Sequence, residues 1–213
     1  MNYSQDLKNP IFNIITEVSE ELEYPAYVVG GWVRDLLLNR NQNNNDIDFV
    51  CVGKGVTLAE KVKERLGSKA KLKVFKNFGT AMISYNKQNY EFVGARKESY
   101  RRNSRKPIVE NGTLKDDQER RDFTINAMAI ELNTQNYGDL IDPFKGQEDL
   151  KNKIIRTPLH SDRTYSDDPL RMMRAIRFAT ELNFIIEDNS YKAITKNSHR
   201  LSIVSQERIT EEL

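Results

Sequence analysis

Leu7, Ile11, Ile14, Ile15, Val18 and Leu22 recur at intervals of three and four, which predicts an amphipathic helix over residues 4–23. The period then changes. Short apolar runs predict strands at 26–29 and 47–52, with a helix at 32–38 between them and a second at 56–66 that ends at Gly67. Residues 72–76, 79–85 and 90–94 have strand character, the last two joined by a turn at 85–89. Residues 96–121 lose periodicity and fill with Arg, Lys, Asp and Glu, so they are expected to form a long polar loop. A buried element resumes at 121–129, and a short strand pair at 128–132 and 139–141 completes the sheet. From about residue 160 the pattern is helical: 168–182, 188–197 and 205–213. The last helix opens well, with Ser205 as N-cap and Glu207 in its first turn, but carries no C-cap signal. A mixed sheet with helices, followed by helices alone, is an α+β arrangement.

Composition narrows this picture. The chain has 213 residues, enough for one large domain or two small ones with a real core. A net charge of +2 means that a nucleic-acid partner would have to meet a local basic patch. The single cysteine, Cys51, forms no internal disulfide, and a reducing, cytoplasmic setting is the expectation. No apolar run approaches membrane-spanning length. His160 and His199 are too few and too far apart for a histidine metal centre.

The candidate chemistry begins where the first strand ends. Gly30 and Gly31 are followed by Arg34 and Asp35 at the start of a helix. Glycines there let backbone N–H groups approach an anion, most often phosphate. Asp46 and Asp48 follow, one residue apart on a strand, so their carboxylates share a face. Paired like charges of this kind point to a hard divalent cation. An isolated DxD is usually solvated charge and an isolated Gly-Gly usually a turn. Their combination in one strand–turn–helix–loop–strand unit suggests phosphoryl or nucleotidyl transfer.

Five ordered segments carry a resemblance: residues 30–35, Asp46-Ile47-Asp48, residues 120–127 (RRDFTINA), residues 142–146 (DPFKG) and residues 168–178 (DPLRMMRAIRF). Together they resemble the class II CCA-adding tRNA nucleotidyltransferases and the bacterial poly(A) polymerases, over nearly the whole chain from residue 26. The resemblance implies a polymerase-β-like nucleotidyltransferase head, a mixed sheet flanked by helices, followed by an all-helical neck. It places the head at 1–158 and the neck with the start of an RNA-binding body at 159–213. Such proteins are commonly longer, so the rest of the body and tail is expected to lie outside this chain.

The activity implied is template-independent addition of CCA to the tRNA 3′ acceptor end from CTP and ATP, with Mg²⁺ in a two-metal mechanism. Poly(A) addition, or addition of CC or A alone, is the alternative within enzymes. A nucleotide- or RNA-binding module without turnover is the alternative outside them. Asp46 and Asp48 are then the metal ligands and Glu91 the third carboxylate. Gly30, Gly31 and Arg34 meet the triphosphate, and Asp35 either orients Arg34 or caps a turn. Arg121 and Asp122 form the ribose motif, with Asn126 supporting it, while Phe123, Ile125 and Met128 are core. Asp168 and Arg171 stand three apart on a predicted helix face. Cytosine and adenine both offer an amino donor beside a ring-nitrogen acceptor, which a carboxylate and a guanidinium complement. Guanine and uracil present the reverse. Asp167 replaces the family's usual Glu, which leaves its role open. Arg174 and Arg177 extend an arginine stripe toward triphosphate or RNA. The polar loop, with Arg96, Arg101, Arg102 and Arg105, corresponds to the family's flexible loop, whose presence favours full CCA addition.

Overall fold

Pro10 decides where the first helix begins. It occupies the first helical position, where a missing N–H costs nothing, and Asn9 caps it by accepting from the Ile11 N–H. Helix α1 therefore spans Pro10–Leu22, and residues 4–6 form a separate 3₁₀ turn, so the predicted helix was six residues too long at its N-terminus. The structure is a computed structural model that describes residues 1–40, 46–100, 104 and 106–213. Arg101, Arg102 and Arg105, and most of the asparagine-rich segment, lie outside those residues.

The strands are β1 Ala26–Val29, β2 Asp46–Cys51, β3 Lys71–Phe75, β4 Thr80–Tyr85, β5 Gln88–Gly94, β6 Arg96–Ser99, β7 Ile108–Asn111, β8 Ala129–Glu131, β9 Leu140–Ile141, β10 Ile154–Ile155 and β11 Ile185–Ile186. The further helices are α2 Gly31–Leu37, α3 Gly55–Leu66, α4 Leu114–Glu119, α5 Gly146–Asn152, α6 Ser161–Asp167, α7 Leu170–Leu182, α8 Asp188–Asn197 and α9 Gln206–Glu211. Seven strands form one mixed sheet in the order β3-β4-β5-β2-β1-β8-β9. Only β2 and β5 run parallel within it, and α3 lies in the chain between them. This is the mixed α+β sheet flanked by helices that the sequence predicts.

One face of the sheet buries Val28, Ile47, Phe49, Ala81, Ile83 and Phe92 against Ile11, Phe12, Ile15 and Val18 of α1 and Leu58, Ala59 and Val62 of α3. Each buried Val, Leu, Ile or Phe among them contributes roughly 1.5–3 kcal/mol, the two alanines less. That face is closed, so polar chemistry is confined to the other. There a smaller cluster of Tyr27, Val29, Val50, Ala95 and Ala129 leaves the strand positions nearer Asp46 uncovered.

Two expectations need correction. Residues 96–121 are not one loop: β6 and β7 pair antiparallel and α4 follows, started by a capping box in which Thr113 and Asp116 cap each other's backbone N–H. The ribbon's exposed residues outside the main sheet leave no apolar alternation to read. Beyond residue 160 the chain is helical except for β11, which pairs parallel with β10 and ties the last helices to the sheet domain.

Candidate active site

β1 delivers the chain to Gly30, whose φ of +76° favours glycine. The space is close but not closed: a Cβ there would stand 3.3 Å from Arg121 Nη1 and 3.4 Å from Asp48 Oδ2, so the backbone angle is the stronger constraint. α2 then starts at Gly31. Arg34 is buried, donating from Nε to Asp35 Oδ1 at 2.9 Å and from Nη1 to Asn126 Oδ1 at 3.0 Å. Its guanidinium also lies 5.1 Å from the Phe178 ring centre. Asp35 thus orients Arg34, which resolves its two predicted roles.

The parallel register of β2 and β5 sets Asp46 opposite Asn89 and Asp48 opposite Glu91. Asn89 donates to Asp46 Oδ1 at 3.0 Å and accepts from Ser84 Oγ at 2.8 Å, so this row shares one face. Burial pushes the Asp48 carboxyl above the usual carboxylate range; Arg121 opposes that and Asp46 adds to it. Glu91 is raised too, first by burial and then by the charges of Asp48 and Asp46. Among the described residues no three acidic, Cys or His groups converge on one point. The donor set nonetheless fits a divalent cation that takes one or two carboxylates and completes its shell with water and phosphate oxygens.

Across the cleft, Asp122 Oδ1 accepts from the Phe123 N–H at 2.8 Å and from Asn126 at 3.2 Å. Its Oδ2 accepts from Arg174 Nε at 2.8 Å and Nη2 at 2.7 Å. Burial pushes this carboxyl up, but Arg174, Asn126 and Arg171 together hold it below the ordinary range. Phe123, Ile125 and Met128 are fully buried, as core positions should be. Asp142 accepts from the Gly146 and Gln147 N–H groups at the start of α5, and a Cβ on Gly146 would stand 2.5 Å from the Thr124 carbonyl oxygen. The motif at 142–146 thereby braces the turn that carries Asp122 and Asn126.

Asp168 is not on a helix. Pro169 restricts the residue before it to extended backbone, and Asp168 takes φ −133° and ψ 99° between α6 and α7. Its Oδ1 accepts from the Leu170 N–H at 3.2 Å. The predicted shared helix face with Arg171 is therefore replaced by a cap-and-first-turn arrangement. The two residues still share a site, because both line one cleft of about 300 Å³ with Asp48, Glu91, Arg121 and Arg174. Arg171 is anchored there by a bond from Nη2 to the Arg120 carbonyl. Gly30, Gly31, Arg34, Asn126 and Arg177 line an adjoining recess of about 340 Å³ that shares Asp48, Arg121, Asp122 and Arg174 with the first. Asp167 is outside both, paired with Arg163 at 3.5 Å.

Two acidic residues were missed by the sequence reading. Asp117 is fully buried and gives one oxygen to each of two arginines: Oδ1 to Arg120 at 2.6 and 2.9 Å, Oδ2 to Arg121 at 3.0 and 3.1 Å. Its i,i+4 spacing to Arg121 was the available signal. Glu212 accepts from Arg177 Nε at 2.7 Å and lies 3.5 Å from Arg174 Nη1, so the arginine stripe is paired and not simply solvated.

Residues 26–156 match the family model described as the poly A polymerase head domain. The chain belongs to the poly(A) polymerase head-domain family. Residues 183–213 also match the model described as a probable RNA and SrmB-binding site of polymerase A. An A-adding tRNA nucleotidyltransferase from Aquifex aeolicus is 46% identical over 79% of this chain and 20% of its own length. A CCA-adding enzyme from Lactobacillus helveticus is 39% identical over 93% of this chain and 47% of its own. The chain thus spans about half or less of these relatives. Among solved structures, an apo CCA-adding enzyme superposes with a TM-score of 0.86 at 36% identity, covering 97% of this chain and 49% of that one. A tRNA nucleotidyltransferase with a primer tRNA and an incoming ATP analogue superposes at 0.79 with 38% identity, covering 93% and 54%. The family's head thus accounts for the fold, a polymerase-β-like nucleotidyltransferase sheet followed by helices.

Proposed function

We propose that this chain is the catalytic part of a template-independent tRNA nucleotidyltransferase that builds the 3′-terminal CCA from CTP and ATP. The observation that carries this is the single cleft holding Asp48 and Glu91 together with Asp122, Asp168 and Arg171. Residues 1–158 form the head and 159–213 the neck with the start of an RNA-binding body. Helices of the described residues include none long and apolar enough to cross a membrane, and a buried free Cys51 suits a reducing cytoplasm.

Each residue has one task. The N–H groups at Gly30 and Gly31, with Arg34 and Arg177, take the triphosphate. A divalent cation, Mg²⁺ by its preference for oxygen, would be held by Asp46 and Asp48 and supply Lewis acidity at the reacting phosphate. Glu91 completes the acidic face. The Asp122 carboxylate, ionised by its arginine partner, accepts from a ribose hydroxyl. Asp168 accepts from the amino group of cytosine or adenine, and Arg171, with four N–H groups beyond the one anchored on Arg120, donates to the ring nitrogen.

The A-adding relative supports a second reading, in which only the final A is transferred. Labelled CTP and ATP offered to tRNA transcripts ending before CCA, after C and after CC separate the two. CTP use on the first two transcripts and ATP use on the third supports CCA addition. ATP use confined to the CC end supports the second reading, and ATP use on every end contradicts both.

A further inference from the structure

Residues 67–90 contain five lysines and no Asp or Glu, a net charge of +5 in a chain that totals +2. They build β3, β4 and the first residues of β5, the outermost part of the sheet on one side. Register places this charge relative to the candidate site. Lys71 pairs with Ser84, which pairs with Asn89 and, through it, with Asp46. Lys73 pairs with Met82, Glu91 and then Asp48 along the next row. Directly paired residues point to the same face, so Lys71 and Lys73 extend the acidic face outward. At ~4.8 Å per strand, Lys73 stands about 14 Å from Asp48.

All five lysines are exposed, and none forms an ion pair among the described residues. Lys73 instead lies 4.9 Å over the Phe75 ring. The turn between β3 and β4 carries Phe78, which is 72% exposed two residues before Thr80 in the cleft wall. Cations interleaved with aromatic faces suit single-stranded nucleic acid, whose phosphates and bases they meet in turn.

The reaction direction selects the strand. In nucleotidyl transfer the O3′–Pα bond forms as the bond from Pα to the bridging oxygen breaks. Pyrophosphate leaves and the hydroxyl proton passes to solvent. Attack is in line, from the side opposite pyrophosphate. The triphosphate recess lies toward β1 and α2, so the attacking hydroxyl arrives from the β5, β4, β3 side.

Resting on the proposed function, we propose that the β3–β4 edge is the track for the primer RNA's 3′ strand, with Lys71 and Lys73 on its phosphates and Phe78 stacking a base. The test is fluorescence anisotropy of a labelled tRNA transcript lacking CCA, titrated at several salt concentrations, alongside KM for tRNA and for CTP. The Lys71→Gln/Lys73→Gln double variant is expected to bind about tenfold more weakly, with a salt slope reduced by about 2. Phe78→Ala is expected to raise KM for tRNA several-fold, and Phe78→Trp to restore it. KM for CTP stays unchanged in all three. The control is Lys61→Gln/Lys63→Gln on α3, which removes the same charge from the opposite face. Unchanged tRNA affinity and slope in the folded double variant, or an equal loss in the control, would overturn the track and leave the lysines to an acidic protein partner. Binding needs no turnover: a chain that binds tRNA through these lysines but transfers nothing contradicts the proposed function alone.

Discussion

Asp48→Asn is expected to lower nucleotide incorporation by on the order of 10³-fold while leaving the metal-free protein as stable as before, or more so. The two effects have one cause. Asp48 is half-buried beside the exposed Asp46 and in register with Glu91, and its carboxyl is raised above the usual range. A carboxyl with a raised folded-state pKa loses stability as pH climbs past its unfolded value, because ionising it in place costs more than in water. Asparagine removes that cost together with a cation ligand. In the wild type, Mg²⁺ is accordingly expected to raise Tm more at pH 8 than at pH 5, and in the variant the difference shrinks. Incorporation rates paired with thermal melts at both pH values check this. A variant that keeps wild-type turnover, or melts well below the wild type without metal, would contradict the role given to Asp48.

Asp117→Asn carries the largest expected cost in stability, about 3–5 kcal/mol, since it leaves two arginines facing a buried neutral group. Here the sign reverses. Burial pushes the Asp117 carboxyl up, but the charges and hydrogen bonds of Arg121 and Arg120 outweigh it and the net shift is downward. Its stabilisation is present above the unfolded carboxylate value and fades as pH falls through the lowered one. Denaturant unfolding of the wild type should therefore lose stability on acidification below about pH 4. The variant should start lower and fall less over the same range. Arg120 keeps Glu98, at 3.2 Å, but among the described residues the Arg121 side chain keeps one hydrogen bond, to the Asn126 carbonyl, also at 3.2 Å. Activity is thus expected to fall with stability even where the variant stays folded. Parallel pH profiles for the two proteins would contradict the stabilising role of the Asp117 carboxylate.

These two residues also show what a sequence reveals. Asp48 was legible because strand period and a glycine turn are local signals, and they placed Gly30, Gly31, Asp46 and Asp48 in one unit. Asp117 lay in a charged stretch without apolar alternation, where an acid that will be buried looks like one that will be solvated. The hairpin of β6 and β7 was hidden for the same reason, although the Thr113–Asp116 capping box marked α4. At Asp168 the signal lies in the next residue: Pro169 disfavours helical backbone at the residue before it, and α7 starts at Leu170. Glu212 is 35 residues from Arg177, and only the packing of α9 on α7 brings them together.

On the proposed function the cleft itself, without a nucleic-acid template, chooses the base. Competition among CTP, ATP, GTP and UTP on a tRNA transcript lacking CCA, comparing the wild type with Arg171→Ala, tests this. The wild type is predicted to take CTP and ATP and reject the other two, and the variant to lose about 10–100-fold of that preference while keeping measurable transfer. A variant that transfers nucleotides with the wild type's base preference would contradict the claim.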